Sequence, residues 1–568
     1  MPFLPVPLAD SVSLHAGAAT SAARTLFTPE ATALVAHLHR ALAPERARLL
    51  AAREARQAAW DAGALPERIT LPEAAGAWTV APLPADLLTR RVEITGPVND
   101  ARMVITMLSR TEKGHRADAA MLDFEDSLKP AWVHVVDGVR NVAAVARGTL
   151  TAVKTDADGR LLKEYRLDPD DRAVMMVRVR GLHLAESNVR VDGEPAIAGL
   201  VDLALTAVHA ARELHADGHT PAYYVPKVEH HEEAAWWARA FALTEEALGL
   251  PPRTMRATFL IETLPAALQM EAILYAARDV AAGLNVGRWD KIFSDIKCLR
   301  AHPDRVLADR ATIGLSRPWM RAYAEELIAT CHRHGAFAMG GMAAFTPGRD
   351  AERRAEQTAK VVEDKAFEAS LGHDGCWVSH PYFIGPAMDA FTAHLGDAPN
   401  QLGVIPALDG APDLLPEGGG PRTMDGLRTN VRVGIAYLHG WQDDIGCVAW
   451  DDLMEDLATL EISRAQTHQW LRHGVTLDDT GEAVTDALVR RVFAEEKERL
   501  LVALAGSDAP TLGRDLARWA TAADAARDVF LLPEMPPFLS TASDLADLVP
   551  ASGDGASVEA VPASASGQ

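Results

Sequence analysis

The stretch Thr258–Lys297, TFLIETLPAALQMEAILYAARDVAAGLNVGRWDKIFSDIK, decides how this chain is read. Ala257-Thr258-Phe259-Leu260-Ile261 is an apolar run that reads as a buried strand, and Pro265 suits the first turn of a helix. That helix, expected from Ala266 to Arg278, gives way to Gly283, a second apolar run and the turn Gly287-Arg288-Trp289-Asp290. Two acids, Glu262 and Asp290, therefore follow two successive strands, one βα unit apart. Neighbouring parallel strands lie about 4.8 Å apart, so such a pair can grip one hard cation. It would do so at the edge where parallel α/β sheets hold their ligands. The same residues allow a plainer reading, in which Glu262 caps its helix and Asp290 begins the next.

Outward from this unit, short apolar runs alternate with helical patterns. Arg91-Val92-Glu93-Ile94-Thr95 alternates like a strand. Further strands are expected at Met103–Leu108, Ala119–Leu122, Ala173–Val179, Ala222–Val225, Ala282–Val286, Ala336–Met339 and Gly375–Val378. This repetition to about residue 395 suits an α/β fold of the (β/α)8 barrel type, with a doubly wound sheet as the alternative. Residues 1–25 are expected to be poorly ordered. Glu30–Asp61 has helical spacing with Pro44 as an expected break. A Gly/Pro/Asp-rich stretch, Pro406–Pro421, precedes Met424–Leu532, which is helical almost throughout. Val549–Gln568 is Ala/Ser/Gly-rich and is expected to be disordered.

The composition of the 568 residues, 48% hydrophobic and 24% charged, is that of a globular protein. No apolar run approaches the ~20 residues that span a bilayer. MPFLPVPLADS lacks the features of a secretory signal, and the final Ser566-Gly567-Gln568 is not a peroxisomal address. Four cysteines without metal-type spacing fit a reducing cytoplasm. The net charge of −22 disfavours nucleic acid and anionic membranes as partners. It equally requires a local cationic pocket for any anionic metabolite.

Four segments carry further chemistry. Asp123-Phe124-Glu125-Asp126-Ser127 clusters three acids after an apolar run, which repel unless a cation, an arginine or a proton intervenes; Ser127 or Asp126 could instead cap a helix. In Val177-Arg178-Val179-Arg180, alternation sets both arginines on one side, either to supply positive charge to a site or to form salt bridges. His183 reads as a hydrogen-bonded core histidine. Gly340-Gly341-Met342 and Gly372–Pro381 are glycine-containing turns that let backbone approach a ligand, without a nucleotide-binding pattern. Glu455-Asp456 precedes a good helix, so Asp456 is either a dipole-favoured helix acid or a base carried over a barrel mouth. Glu229-His230-His231-Glu232-Glu233 has metal-like composition without HExxH spacing and reads as a solvated helix start.

Taken together, RRVEITGPV (Arg90–Val98), DFEDSLKPAW (Asp123–Trp132), VRVRGLHL (Val177–Leu184), LIETLPA (Leu260–Ala266), GLNVGRWDKIFS (Gly283–Ser294), FAMGGMAAF (Phe337–Phe345), HDGCWVSHP (His373–Pro381) and LMEDLATLEISR (Leu453–Arg464) closely resemble the malate synthase family, A isoform. The resemblance runs from about Val35 to Leu532. It departs at Val286, Lys291 and Ser379, where the family usually has Cys, Tyr and Ala, and at Val179 and Leu182, where Pro and Trp are usual.

The resemblance implies an N-terminal helical clasp over 1–88, a (β/α)8 TIM barrel over 89–400, a C-terminal helical domain over 401–540 carrying the base, and a disordered tail over 541–568. It implies Mg2+-dependent condensation of acetyl-CoA with glyoxylate, followed by hydrolysis to malate and CoA. Glu262 and Asp290 are then the metal ligands, Arg178 the catalytic arginine and Asp456 the base. Gly287, Arg288 and Trp289 approach glyoxylate, and Met342 and Pro381 lie along the CoA path. A lyase of the citrate-lyase β or malyl-CoA type is the alternative, handling a CoA ester without hydrolysing it. A catalytically silent CoA-binding protein is a third reading. Monomer and homo-oligomer remain equally open.

Overall fold

The computed structural model describes residues 3–156, 158–408, 410–505 and 512–541. Its centre is a closed barrel of parallel strands: β1 (Val92–Pro97), β2 (Ala119–Asp123), β3 (Val174–Arg178), β4 (Ala222–Val225), β5 (Arg256–Ile261), β6 (Ala281–Val286), β7 (Phe337–Ala343) and β8 (Gly375–Val378). Each strand pairs with the next, and β8 closes on β1 through Cys376↔Val92, Trp377↔Glu93 and Val378↔Ile94. The fold is therefore a (β/α)8 barrel, not an open doubly wound sheet. Most of these strands are buried along their whole length, as expected when helices cover the outside and side chains fill the inside. Met121, Met176, Tyr224, Leu260 and Trp377 pack in the barrel interior. Fully burying each such side chain is worth roughly 1.5–3 kcal/mol.

Register sets the site. Asp123 pairs with Arg178 across β2 and β3. Ile261 pairs with Val286 across β5 and β6, so Glu262 and Gly287, the next residue on each, leave the barrel side by side. All four stand at the same C-terminal rim.

Several expectations are corrected. Met103–Leu108 lies in a helix, Ala101–Leu108, whose N-cap Asp100 accepts hydrogen bonds from the Arg102 and Met103 amides. A short apolar run has the same composition in a strand and in a half-buried helix, and the cap settles it here. Residues 1–25 are not without order: Pro5–Pro7 and Val12–His15 form strands, and the second pairs antiparallel with Ala185–Val191. That partner lies far along the chain, so local sequence carries no sign of it. The helix Pro29–Asp61 runs through Pro44 without a break. Its face of Leu34, Leu38, Leu42 and Leu49 is buried, and Trp236 donates its indole N–H to the Leu42 carbonyl at 3.0 Å, so packing outweighs the lost helix bond.

The helix expected over Ala266–Arg278 is two pieces, Leu264–Ala267 and Met270–Ala276. Gln269 breaks it because its side chain donates to the Glu229 and Pro265 carbonyls and accepts from the His231 amide. The Glu229–Glu233 segment does start a helix, yet it is not solvated. Arg53 of the long helix donates to both Glu233 oxygens at 2.8 and 2.7 Å, and Lys297 donates to Glu229 at 2.7 Å.

After the barrel come the helices Met424–Gln442, Leu457–Arg472, Asp486–Ala505 and Leu512–Phe530, which share a second core around Leu427, Trp470, Phe493 and Phe530. The stretch expected to be disordered, Val549–Gln568, lies outside the described residues.

Candidate functional site

One cleft at the C-terminal rim is lined by Arg178, Glu262, Gly287, Arg288, Trp289, Asp290, Met342 and Asp456, together with Asp126, Ser127, Trp377, Ser379, Cys447 and Met454. Pro381 is not in this lining; it begins a short 3-10 helix two residues beyond Ser379.

Each side chain has a local reason for its place. Glu262 does not cap its helix, because Thr263 does, its hydroxyl accepting from the Ala266 amide. This leaves Glu262 Oε1 to accept from the Lys227 amide at 2.7 Å, while Oε2 is buried without a hydrogen-bond partner. A Cβ on Gly287 would sit 2.4 Å from Glu262 Cβ, so only glycine lets the two strand ends come this close. Asp290 lies in the first turn of the helix Arg288–Cys298, whose leading N–H groups lack acceptors within the helix.

The acids after β2 cap no helix either, since the next one, Trp132–Ala146, starts beyond Ala131. Instead Arg178 donates to both Asp123 oxygens, at 2.7 and 2.6 Å, and reaches Asp126 at 3.3 Å. Burial works against that guanidinium, but Asp123 and Asp126 hold it more firmly charged than usual. Burial pushes Asp123 up, and Arg178 pulls it below the ordinary carboxylate range. Arg180 lies past the end of β3 and serves structure, bound to Asp202 and Glu186. His183 is half-buried and stacked on Phe538 with ring centroids 4.3 Å apart, and its Nδ1 has no hydrogen-bond partner, so it is not the hydrogen-bonded core histidine expected.

Sequence reasoning missed Lys227, which pairs with the acids of the rim. Its ammonium stands 2.7 Å from Asp126, 3.0 Å from Asp290, 3.4 Å from Glu262 and 3.5 Å from Glu125. Burial disfavours that charge, and Asp126, then Asp290, more than offset it. Its backbone adopts φ +54°, a left-handed conformation uncommon for a non-glycine residue, and Arg53 fixes its carbonyl at 2.7 Å. The only available signal was a lysine two residues beyond β4, at the same rim as the acids.

Asp456 arrives from the C-terminal helices. A hairpin of Val448–Trp450 and Leu453–Glu455 docks on the barrel: the Met454 amide donates to Ala344 O at 2.7 Å, and the Leu457 amide to Asp126 O at 3.3 Å. Asp456 is the N-cap of Leu457–Arg472, with Oδ1 accepting from the Thr459 amide and the Thr459 hydroxyl accepting from the Asp456 amide. The helix-acid reading is therefore correct, but the cap uses only one carboxylate oxygen. Burial, then the Asp126 charge, push Asp456 up to about 7.

Three family models match in order: "Malate synthase, N-terminal domain" over residues 16–73, "Malate synthase, TIM barrel domain" over 174–414 and "Malate synthase, C-terminal" over 421–543. Malate synthase A of Escherichia coli K12 is 44% identical over 480 residues, covering 83% of this chain and 87% of its own. The chain belongs to the malate synthase family. Malate synthase of Myxococcus xanthus is 46% identical over 480 residues, 84% of this chain and 86% of its own. That of Oryza sativa is 43% identical over 492 residues, covering 84% and 85%. As a malate synthase family member the chain is an acyltransferase built on a TIM barrel. Among the described residues no helix is long and apolar enough to cross a membrane.

Proposed function

We propose that this chain condenses acetyl-CoA with glyoxylate and hydrolyses the product thioester to malate and CoA, with Mg2+ held by Glu262 and Asp290. The observation that carries the reading is the presence of Arg178, Glu262, Asp290 and Asp456 in one cleft, delivered by three barrel strand ends and a docked helix.

The residues fit the metal. Glu262 Oε2 is a buried hard oxygen without a hydrogen-bond partner, and Asp290 Oδ1, which faces the Lys227 ammonium at 3.0 Å, is a second oxygen suited to a cation. Among the described residues no cage of three or more His, Cys, Asp or Glu side chains occurs. Mg2+ commonly takes only one or two carboxylates and completes its shell with substrate oxygens and water. When bound, the ion polarises the glyoxylate aldehyde as a Lewis acid.

The chain's own groups do the rest. Ionised Asp456 takes a methyl proton from acetyl-CoA, and Arg178 stabilises the enolate oxygen that forms. The enolate carbon attacks the aldehyde carbon, making the new C–C bond as the C=O π pair moves onto the aldehyde oxygen, which takes up a proton to become the hydroxyl. Water then cleaves the thioester and releases the thiol. N–H groups in the first turn of the helix Arg288–Cys298 suit the glyoxylate carboxylate. Lys227 and Arg178 offset part of the acid charge around the cleft, which otherwise opposes anionic substrates. Met342 and Pro381 are placed along the CoA path by family resemblance alone. The four unpaired cysteines support a reducing compartment, which we take to be the cytoplasm.

The test is release of free thiol from acetyl-CoA and glyoxylate, with and without Mg2+. Wild-type protein is expected to release CoA only with the metal, and Asp290→Ala to lose that dependence together with its activity. A CoA ester accumulating without free thiol would favour the lyase reading. Metal dependence unchanged in both Glu262→Ala and Asp290→Ala would remove these acids from the site.

The pH profile gives a second expectation. The carboxylate, not the acid, accepts the proton, and a group titrating at about 7 is mostly neutral below that pH. Turnover is expected to fall about tenfold per pH unit on the acid side. A kcat that stays flat from about pH 8 to 5 contradicts a base raised in this way.

A further inference from the structure

An irregular strap, Val306–Arg310, bonds at every residue to the C-terminal part of the chain. Val306 O accepts from Arg422 at 2.7 Å. The Leu307 amide donates to Gln469, and the Leu307 carbonyl accepts from Trp470. Ala308 O accepts from Gln466 at 2.6 Å. Asp309 takes both the amide and the hydroxyl of Thr423, the N-cap of Met424–Gln442.

Arg310 ends the strap and points into the site's supporting layer. It is 4% exposed, and its Nη2 donates to Glu455 Oε1 at 2.6 Å. Nη1 reaches the Thr459 carbonyl at 3.4 Å and the Ser463 hydroxyl at 3.3 Å. These partners flank Asp456: Glu455 precedes it, and Thr459 closes its capping box. The same guanidinium lies 5.6 Å from the ring centroid of Trp289, beside Asp290. Arg310 touches none of the groups assigned to the chemistry.

We propose that Arg310 is a positioning residue that fixes the Asp456 carboxylate relative to the Trp289–Asp290 turn. The inference rests on Asp456 being the base. A carboxylate taking a proton from a weak carbon acid has no tolerance for displacement, and an error of about 1 Å can cost about a hundredfold in rate. Arg310 suits this task because its planar fork contacts the side chain before the base and the backbone of the turn after it together. A lysine has only a single head to offer.

The test compares Arg310→Met, Arg310→Lys, Glu455→Gln and the double variant R310M/E455Q by steady-state kinetics and by calorimetric binding of glyoxylate with Mg2+. Arg310→Met is expected to lose about 30- to 100-fold in kcat, with KM for glyoxylate and the calorimetric affinity within about threefold of wild type. Arg310→Lys should recover part of the loss. The double variant should be no worse than Arg310→Met, since both changes remove the same contact.

Unchanged kcat in Arg310→Met overturns the proposal. So does a loss of kcat matched by equal loss of glyoxylate binding, or strict additivity in the double variant. If Arg310→Met does not fold, Glu455→Gln and Arg310→Lys carry the same split between kcat and KM. Asp456→Asn in the same assay separates the two levels. If that variant is fully active the base assignment falls, whereas an inactive Asp456→Asn beside a normal Arg310→Met rejects only the positioning role.

Discussion

Replacing Asp456 with asparagine is expected to lower turnover by about 10²- to 10⁴-fold while glyoxylate and Mg2+ still bind. The variant is clean because asparagine keeps an oxygen able to accept from the Thr459 amide and is as good an N-cap as aspartate, so the helix start should survive. What it loses is the ability to take a proton. Stopped thiol-release assays give the rate, and calorimetry with glyoxylate and Mg2+ gives the binding. Normal turnover would remove Asp456 from the mechanism. Loss of both turnover and binding would mean that its charge, not its basicity, holds the site together.

Arg178→Lys should cost about 10²- to 10³-fold in kcat with a modest change in KM, comparable to losing an oxyanion donor. The guanidinium binds Asp123 through Nε and Nη2 and keeps Nη1 toward Asp126 and the cleft. A lysine ammonium can neutralise Asp123 or face a developing enolate, but it cannot do both from one point. Because the enolate charge exists only near the transition state, the loss belongs in kcat. A change confined to KM would contradict this role. Arg178→Met removes one partner of a buried ion pair, which destabilises by about 3–5 kcal/mol, so its inactivity would tell less.

Much of the barrel can be read from the chain because parallel strands buried on both faces appear as short apolar runs, and their ends carry the acids. Glu262, Asp290, Arg178 and Asp456 each stand out as charges at the boundary of such a run. Met103–Leu108 misleads for the same reason, since an apolar run does not declare its period over six residues. Pro44 and the strands before residue 16 depend on partners remote in sequence. Lys227 and Arg310 are harder still. One is a single lysine after a strand, the other an arginine in a segment without periodicity, and their meaning appears only when four acids or a docked helix surround them.

The site's acids come from a barrel finished by residue 378, while the residue proposed to take the proton follows more than 70 positions later on a separate helical layer. On this reading a nascent chain gains its metal-holding rim well before its reactivity. A product truncated ahead of Asp456 would be a silent vessel, able to collect a cation and a keto acid yet leaving acetyl-CoA intact until the last helices dock.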